Sequence, residues 1–260
     1  MDAATSRRVG PGSWFICPRP NPDARARLFC LPFGGGGASV YHGWPQVLRR
    51  EAEVRAVQLP GRESRMREPR ITDALVLARA IADAIDPYLD RPFALFGYSM
   101  GALLAFETAR ELRRRARPLP AHLFVAAMHA PQLPQTVPPL ARLPEADLLR
   151  AVREYYQPPE EALQVPELRE LFLPVLRDDM ALVDGYVYQA EPPLSCAIDA
   201  HVGASDRSVS VAATERWRDQ TSAEFVLTVH AGGHFFIRDA LPALQARVTE
   251  RLRDMIGARP

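Results

Sequence analysis

A serine flanked by glycines, Gly97-Tyr98-Ser99-Met100-Gly101, stands where an apolar run, Phe93 to Ser99, passes directly into a helical pattern, Gly101 to Ala116. Glycines on both sides of a serine let the chain turn sharply and leave the hydroxyl exposed at the strand's carboxyl end, as a serine nucleophile requires. A serine that merely caps the helix is the plainer alternative. A hydroxyl is a weak nucleophile at neutral pH, so the chain must also supply a base and a carboxylate to orient that base. Among six histidines, His234 follows the apolar run Phe225 to Gly232, and Gly232 and Gly233 free its loop to aim it. His201 and His230 lie within strand patterns and read as structural, while His42, His122 and His129 flank other elements. Asp206 ends the run Ala197 to Ser205, one helix and one strand before His234, which gives the order Ser, Asp, His. Asp178, Asp179, Asp184 and Asp199 read as solvated or paired carboxylates, with Asp184 the alternative to Asp206.

Attack on a carbonyl builds negative charge on its oxygen, which needs fixed donors. The Met100 N–H, at the start of a helix, is one candidate. The stretch Leu31 to Trp44 holds four consecutive glycines, Gly34 to Gly37, whose backbone can turn inward, and the Phe33 or Gly34 amide is the second candidate. A phosphate cradle is the rival reading, but neither G-x-G-x-x-G nor G-x-x-x-x-G-K-[ST] spacing is present. A surface loop without a role is the other.

Stepwise alternation of elements would hold these residues in place. Apolar runs at Arg27 to Phe33, Val54 to Pro60, Phe93 to Ser99, Leu123 to His129, Ala197 to Ser205 and Phe225 to Gly232 predict buried strands. Helical patterns at Thr72 to Ile85, Gly101 to Ala116, Val211 to Gln220 and Leu241 to Ile256 fall between or after them, which predicts an α/β fold with a mostly parallel sheet covered on both faces. The alternation breaks at about residues 131–195, where amphipathic stretches predict a helical insertion over one end of the sheet. The expected organisation is a flexible segment over residues 1–22 and a single domain over 23–260.

Composition removes other chemistries. All 32 basic residues are Arg, so a Walker phosphate loop, a Schiff-base lysine and a Ser-Lys dyad are excluded. A net charge of +1 offers no global attraction to nucleic acid or an anionic membrane. Three scattered cysteines suit structural filler in a reducing compartment. Neither a signal peptide nor a run of about 18 apolar residues is evident, so a soluble, cytoplasmic protein is expected.

The segments LPFGGGGAS, VQLPGRESR, GYSMG, VGASD and GGHFFI, in this order and spacing, resemble the type II thioesterases, discrete editing hydrolases of polyketide synthases and nonribosomal peptide synthetases. The resemblance runs from about Phe15 to Ile256. It implies an α/β-hydrolase fold with a helical lid, acyl-thioester hydrolysis without a cofactor, and an acylated carrier protein bearing phosphopantetheine as partner of a monomer. Carried over by motif, Ser99 is the nucleophile, His234 the base, Asp206 its orienting acid, and Met100 with Phe33 or Gly34 the oxyanion donors. Tyr98 stands where that family more often has His, and Gly34 where it often has Ala, which bear on acyl preference and on loop stiffness. Tyr155, Tyr156, Leu171, Phe172, Leu173, Met180, Tyr186 and Tyr188 are candidates to wall an acyl channel, against the alternative of ordinary core. Arg113 to Arg117, with Arg62, Arg65, Arg67 and Arg70, could steer an acidic carrier, or form a solvated helix end. An oxygen-ester hydrolase and a non-catalytic synthase-binding protein are the competing functions.

Overall fold

The computed structural model describes residues 13–158 and 166–257. Seven strands form one sheet: β1 (Phe15–Ile16), β2 (Arg27–Leu31), β3 (Glu53–Val57), β4 (Phe93–Tyr98), β5 (His122–Ala126), β6 (Ala197–Gly203) and β7 (Phe225–His230). Their order is β1-β3-β2-β4-β5-β6-β7, parallel throughout except for β1, which runs antiparallel to β3. Every residue of β2, β4 and β5 is buried, as continuous apolar strands covered on both faces should be.

Helices cover the two faces. On one, α2 (Ala74–Ile85) and α3 (Met100–Arg114) pack with β2 and β4 around Phe29, Leu95, Leu103 and Phe106. On the other, α1 (Trp44–Leu48), the short α7 (Phe236–Asp239) and α8 (Leu241–Gly257) enclose Leu28, Phe96, Phe124 and Val248. Asp73 caps α2 by accepting the Val76 N–H, and Ser210 caps α6 (Val211–Glu215) through the Ala213 N–H, each satisfying an otherwise orphan donor.

The chain steps from β2 outward to β3, then crosses back past β2 to β4 and continues the other way. The loops after β2 and β4 therefore leave in opposite directions, and a crevice opens between their carboxyl ends. Leu31 pairs with Gly97 in register, so both strands end at one level and deliver Phe33 and Ser99 to that crevice.

Over it lies the insertion, with α4 (Glu145–Tyr155) and α5 (Pro166–Asp184). Leu140, Leu148, Leu149, Val152, Leu173 and Leu176 give it a small core of its own.

Two expectations change. The N-terminal segment does not stay free to residue 22: Phe15 is buried against Phe29 and Tyr88, and β1 adds to the sheet edge, because even two residues with one large aromatic can complete an open edge. Residues 1–12 of that segment lie outside the described residues. The Arg113 to Arg117 cluster is a paired and not simply a solvated helix end. Arg113 and Arg114 both bind Glu191, Arg115 binds Glu111 and Asp83, and Arg117 binds Asp86. Arg62 and Arg65 are buried, and Arg70 pairs with Asp178.

Burial pushes the Cys196 thiol up to about 12, the Cys30 thiol well above its ordinary value, and, with the Glu53 charge adding, the half-buried Cys17 up to about 11.

Candidate active site

Ser99 sits between β4 and α3 with φ 53° and ψ −122°, a backbone conformation that costs energy for any residue with a Cβ and that turns its side chain outward. The turn is tight because Gly97 has no side chain, since a Cβ there would lie 2.2 Å from the Gly101 carbonyl oxygen; a Cβ on Gly101 would lie 2.3 Å from the Leu31 carbonyl oxygen, so its absence lets α3 start hard against β2. Although Ser99 is at the cap position of α3, its hydroxyl makes no capping bond. The helix-cap reading therefore fails, and the hydroxyl is available to another group.

That group is His234, whose Nε2 lies 3.1 Å from Ser99 Oγ. On the other side of the ring, Nδ1 lies 2.9 Å from Asp206 Oδ2. A carboxylate can only accept, so Nδ1 carries the proton and Nε2 is the acceptor of the serine O–H. Backbone bonds bring the two loops together, with Ala204 N–H donating to His230 O at 2.8 Å and Ser205 N–H to Gly232 O at 2.9 Å.

Asp206 is held by more than the imidazole. Its Oδ1 accepts the Ser208 N–H at 2.8 Å, the Ser208 hydroxyl at 2.7 Å and the Val209 N–H at 3.1 Å, which leaves Oδ2 for His234. The Ser208 oxygen also lies 2.9 Å from His234 Nδ1, so the ring N–H is shared between Asp206 and Ser208. Burial works against a charged Asp206, but the bonds from His234 and Ser208 outweigh it and hold the carboxyl below its ordinary range. A buried carboxylate that stays ionised is what an imidazolium forming beside it would need.

Ser208 is a site residue that the sequence reading missed. The signal was present: a carboxylate accepting the N–H two residues on is an Asx turn, and Asp-Arg-Ser at a strand end is a sequence that makes one. Tyr98 is reassigned. Its buried hydroxyl donates to the His234 carbonyl and accepts the Ile237 N–H at 3.3 Å, so this departure bears on the histidine loop and not on the acyl wall.

The other candidate carboxylates are committed elsewhere. Asp184 accepts the Leu140 and Ala141 N–H groups, Asp178 pairs with Arg70, and Asp199 binds His122, Arg247 and Arg251. His201 and His230 face one another at 3.1 Å within the sheet, where burial lowers the pKa of both, His201 to about 3.

Ser99 and His234 open onto a cavity of about 380 Å³ whose walls are mostly apolar: Phe33, Val40, Val152, Phe172, Leu176 and Met180. Gly34 also lines it. In the glycine loop, the Gly35 N–H is taken by Asp179 and the Gly36 N–H by Phe33 O, so neither of these two serves the cavity, which Phe33 and Gly34 line. Met100 lines the adjoining pocket with Ser99 and His234.

Of the expected lid residues, Tyr156, Phe172 and Met180 line the main cavity, and the Tyr156 ring meets His234 edge-on at 4.8 Å. Tyr155 and Leu173 belong to the lid's own core, and Leu171 is exposed. Tyr186 and Tyr188 pack on the main core, bonding Glu107 and Gln220. Among the described residues no group of three His, Cys, Asp or Glu is placed to hold a metal ion, and no helix is long and apolar enough to cross a membrane.

A family model described as "Thioesterase domain" matches residues 26–252. The gramicidin S biosynthesis protein GrsT of Aneurinibacillus migulanus is 38% identical over 227 residues, 87% of this chain and 89% of that protein. The type II thioesterase BorB, from the borrelidin biosynthetic cluster, superposes with a TM-score of 0.86 at 33% identity over 94% of this chain and 100% of BorB. RedJ, a thioesterase of the prodiginine pathway in Streptomyces coelicolor, does so with a TM-score of 0.82 at 35% identity over 90% and 91% of the two chains.

Proposed function

The chain belongs to the thioesterase family, and we propose that it hydrolyses acyl groups carried as phosphopantetheine thioesters on the carrier proteins of a polyketide or nonribosomal peptide assembly line, with Ser99, His234 and Asp206 as its catalytic triad. The observation that carries this reading is the single imidazole spanning Ser99 Oγ and Asp206 Oδ2, at 3.1 and 2.9 Å, at the edge of an apolar cavity.

His234 Nε2 takes the Ser99 proton as Oγ attacks the thioester carbonyl carbon. The resulting oxyanion is received by the Met100 N–H and the Phe33 or Gly34 N–H. Collapse breaks the carbon–sulfur bond, and the imidazolium returns its proton to the departing thiolate. A water then gives its proton to Nε2 and attacks the acyl-enzyme. Collapse of this second intermediate restores the Ser99 hydroxyl and releases a carboxylic acid. Asp206 keeps Nδ1 protonated throughout and balances the transient positive charge on the ring. No step requires a cofactor.

The carrier-protein partner is supported by the biosynthetic settings named for GrsT, BorB and RedJ. Removal of aberrant or stalled acyl groups from such a synthase, by a monomer in the cytoplasm, is the role this reading gives it. The test is to mix wild type and Ser99→Ala with short acyl groups loaded on a carrier protein and to follow deacylation by intact mass. Wild type should clear the carrier and Ser99→Ala should not, while melting at the wild-type temperature. A carrier that stays acylated while a matched oxygen ester is cleaved would remove the carrier from the proposal.

A further inference from the structure

The lid helix α5 reaches the glycine loop through one carboxylate. Asp179, 3% exposed, accepts the Gly35 N–H on Oδ2 at 2.6 Å. Arg62, 6% exposed, donates to the same oxygen at 2.7 Å through Nη1 and to Oδ1 at 2.8 Å through Nη2. Its Nη1 also donates to the Gly36 carbonyl at 3.1 Å. A forked guanidinium–carboxylate pair is geometrically rigid. Here it grips the loop at an N–H and at the next residue's C=O.

The loop needs such a grip. Phe33 to Gly36 form a β-turn closed by the Gly36 N–H to Phe33 O bond at 2.9 Å, with Gly35 at φ 80°. Positive φ at the third residue is the type II arrangement, which differs from type I mainly in the direction of the central peptide. With glycine at both central positions, side-chain sterics do not choose between them. The central peptide carries the Gly35 N–H, so the bond to Asp179 fixes which way it faces. If it flipped, the Gly34 carbonyl would face a carboxylate. A Cβ on Gly35 would also lie 2.3 Å from the Phe172 ring, which shows how closely the turn is seated on α5.

We propose that Asp179, held by Arg62, is a positioning residue for the reaction: it anchors in one form and one place the turn that the Phe33 and Gly34 amides lead into, so that seating of α5 holds the Phe33 or Gly34 N–H where the oxyanion forms. This rests on the acyl-transfer reading above. The interaction acts on the transition state, because the amides bond most strongly when the oxygen is charged.

The test compares Asp179→Asn with Arg62→Lys. The amide keeps the shape of Asp179 but offers one accepting oxygen to be divided between Gly35 and Arg62. The lysine keeps a charge opposite Asp179 and leaves the Gly35 bond intact. Asp179→Asn should lower kcat roughly 10- to 100-fold with KM within about threefold, since a small misplacement of a donor is costly. Affinity for a trifluoromethyl ketone thioether, which forms a tetrahedral oxyanion on Ser99, should fall in parallel with kcat/KM. Arg62→Lys, which loses the fork but keeps the Gly35 bond, should lower both thermal stability and kcat, the latter clearly less than Asp179→Asn does.

A raised KM with kcat intact, or equal kcat losses in both variants, would reduce the pair to a lid fastener and overturn the proposal. So would an unchanged kcat in Asp179→Asn. Should that variant fail to fold, Asp179→Glu decides in the same way, because it keeps the charge and carries the oxygens one methylene away from Gly35. Ser99→Ala run alongside separates the two ideas. Turnover retained there defeats the acyl-transfer reading itself, while full turnover in Asp179→Asn defeats only the positioning role.

Discussion

Replacing Ser208 with alanine tests how the acid of the site is held. The substitution removes two side-chain interactions, 2.7 Å to Asp206 Oδ1 and 2.9 Å to His234 Nδ1. It leaves the Ser208 and Val209 N–H groups on Asp206 Oδ1 at 2.8 and 3.1 Å, and the His234 bond to Oδ2 at 2.9 Å. A hydrogen bond to a charged group contributes about 1.5–3 kcal/mol. Because three bonds still define the carboxylate, the lower end applies, and about 1.5 kcal/mol is roughly tenfold in rate. Loss of the orienting acid itself costs on the order of 10⁴ in triads of this kind. The expectation is a kcat about tenfold lower at unchanged KM, since the ring carries positive charge only while reaction proceeds. Hydrolysis of N-acetylcysteamine thioesters, followed by release of the thiol, gives both constants. The same bonds help to hold Asp206 below its ordinary range, so their loss should raise its pKa. A kcat within twofold of wild type, or a loss as deep as that of Asp206→Ala, would refute the arithmetic.

Two further substitutions probe the frame around the site. Tyr98→Phe strands the His234 carbonyl and the Ile237 N–H in the interior, and an expected loss of about 2 kcal/mol follows from the usual cost of unpaired buried groups. Urea unfolding measures it, and chain-length preference, which depends on other walls, should not move; a shifted preference would return Tyr98 to the acyl channel. Asp199 supplies a pH dependence. Burial opposes its charge, but His122, Arg251 and Arg247 prevail and hold it at about 2 against an ordinary 3.8. A depressed carboxyl stabilises the fold fully above its unfolded value and loses that contribution as pH falls through the folded one, so the window is from about pH 4 down to about 2. Wild type and Asp199→Asn should differ most in urea midpoint near pH 6 and converge progressively between about pH 4 and about 2; a constant gap would show that the charge is not what matters.

The parts of this protein legible in the sequence are those written in short runs. Apolar strands buried on both faces, such as Phe93 to Tyr98, and the glycine-flanked serine after them carry their meaning within a dozen residues. His234 and Asp206 were legible because each follows a strand end, where an open α/β sheet gathers its loops. The two-residue β1 and the four-residue helix Phe236–Asp239 are too short to show a period.

Polar partnership across the chain is what the sequence concealed. Asp179 and Gly35 are 144 residues apart, and Asp179 and Arg62 are 117 apart. Nothing local distinguishes Asp179 from Asp178, which pairs half-exposed with Arg70, or from Asp184, which anchors a loop. Helical spacing does separate them: neighbours on a helix point about 100° apart, so when Asp178 faces the rim, Asp179 must face elsewhere. That second direction leads inward to the glycine loop only because the reversal of strand order between β2 and β4 opens a crevice beneath α5. The sheet's reversal therefore sets where the serine and the glycine loop meet. It also determines which acid of the lid is buried, and so which one is able to act on the site.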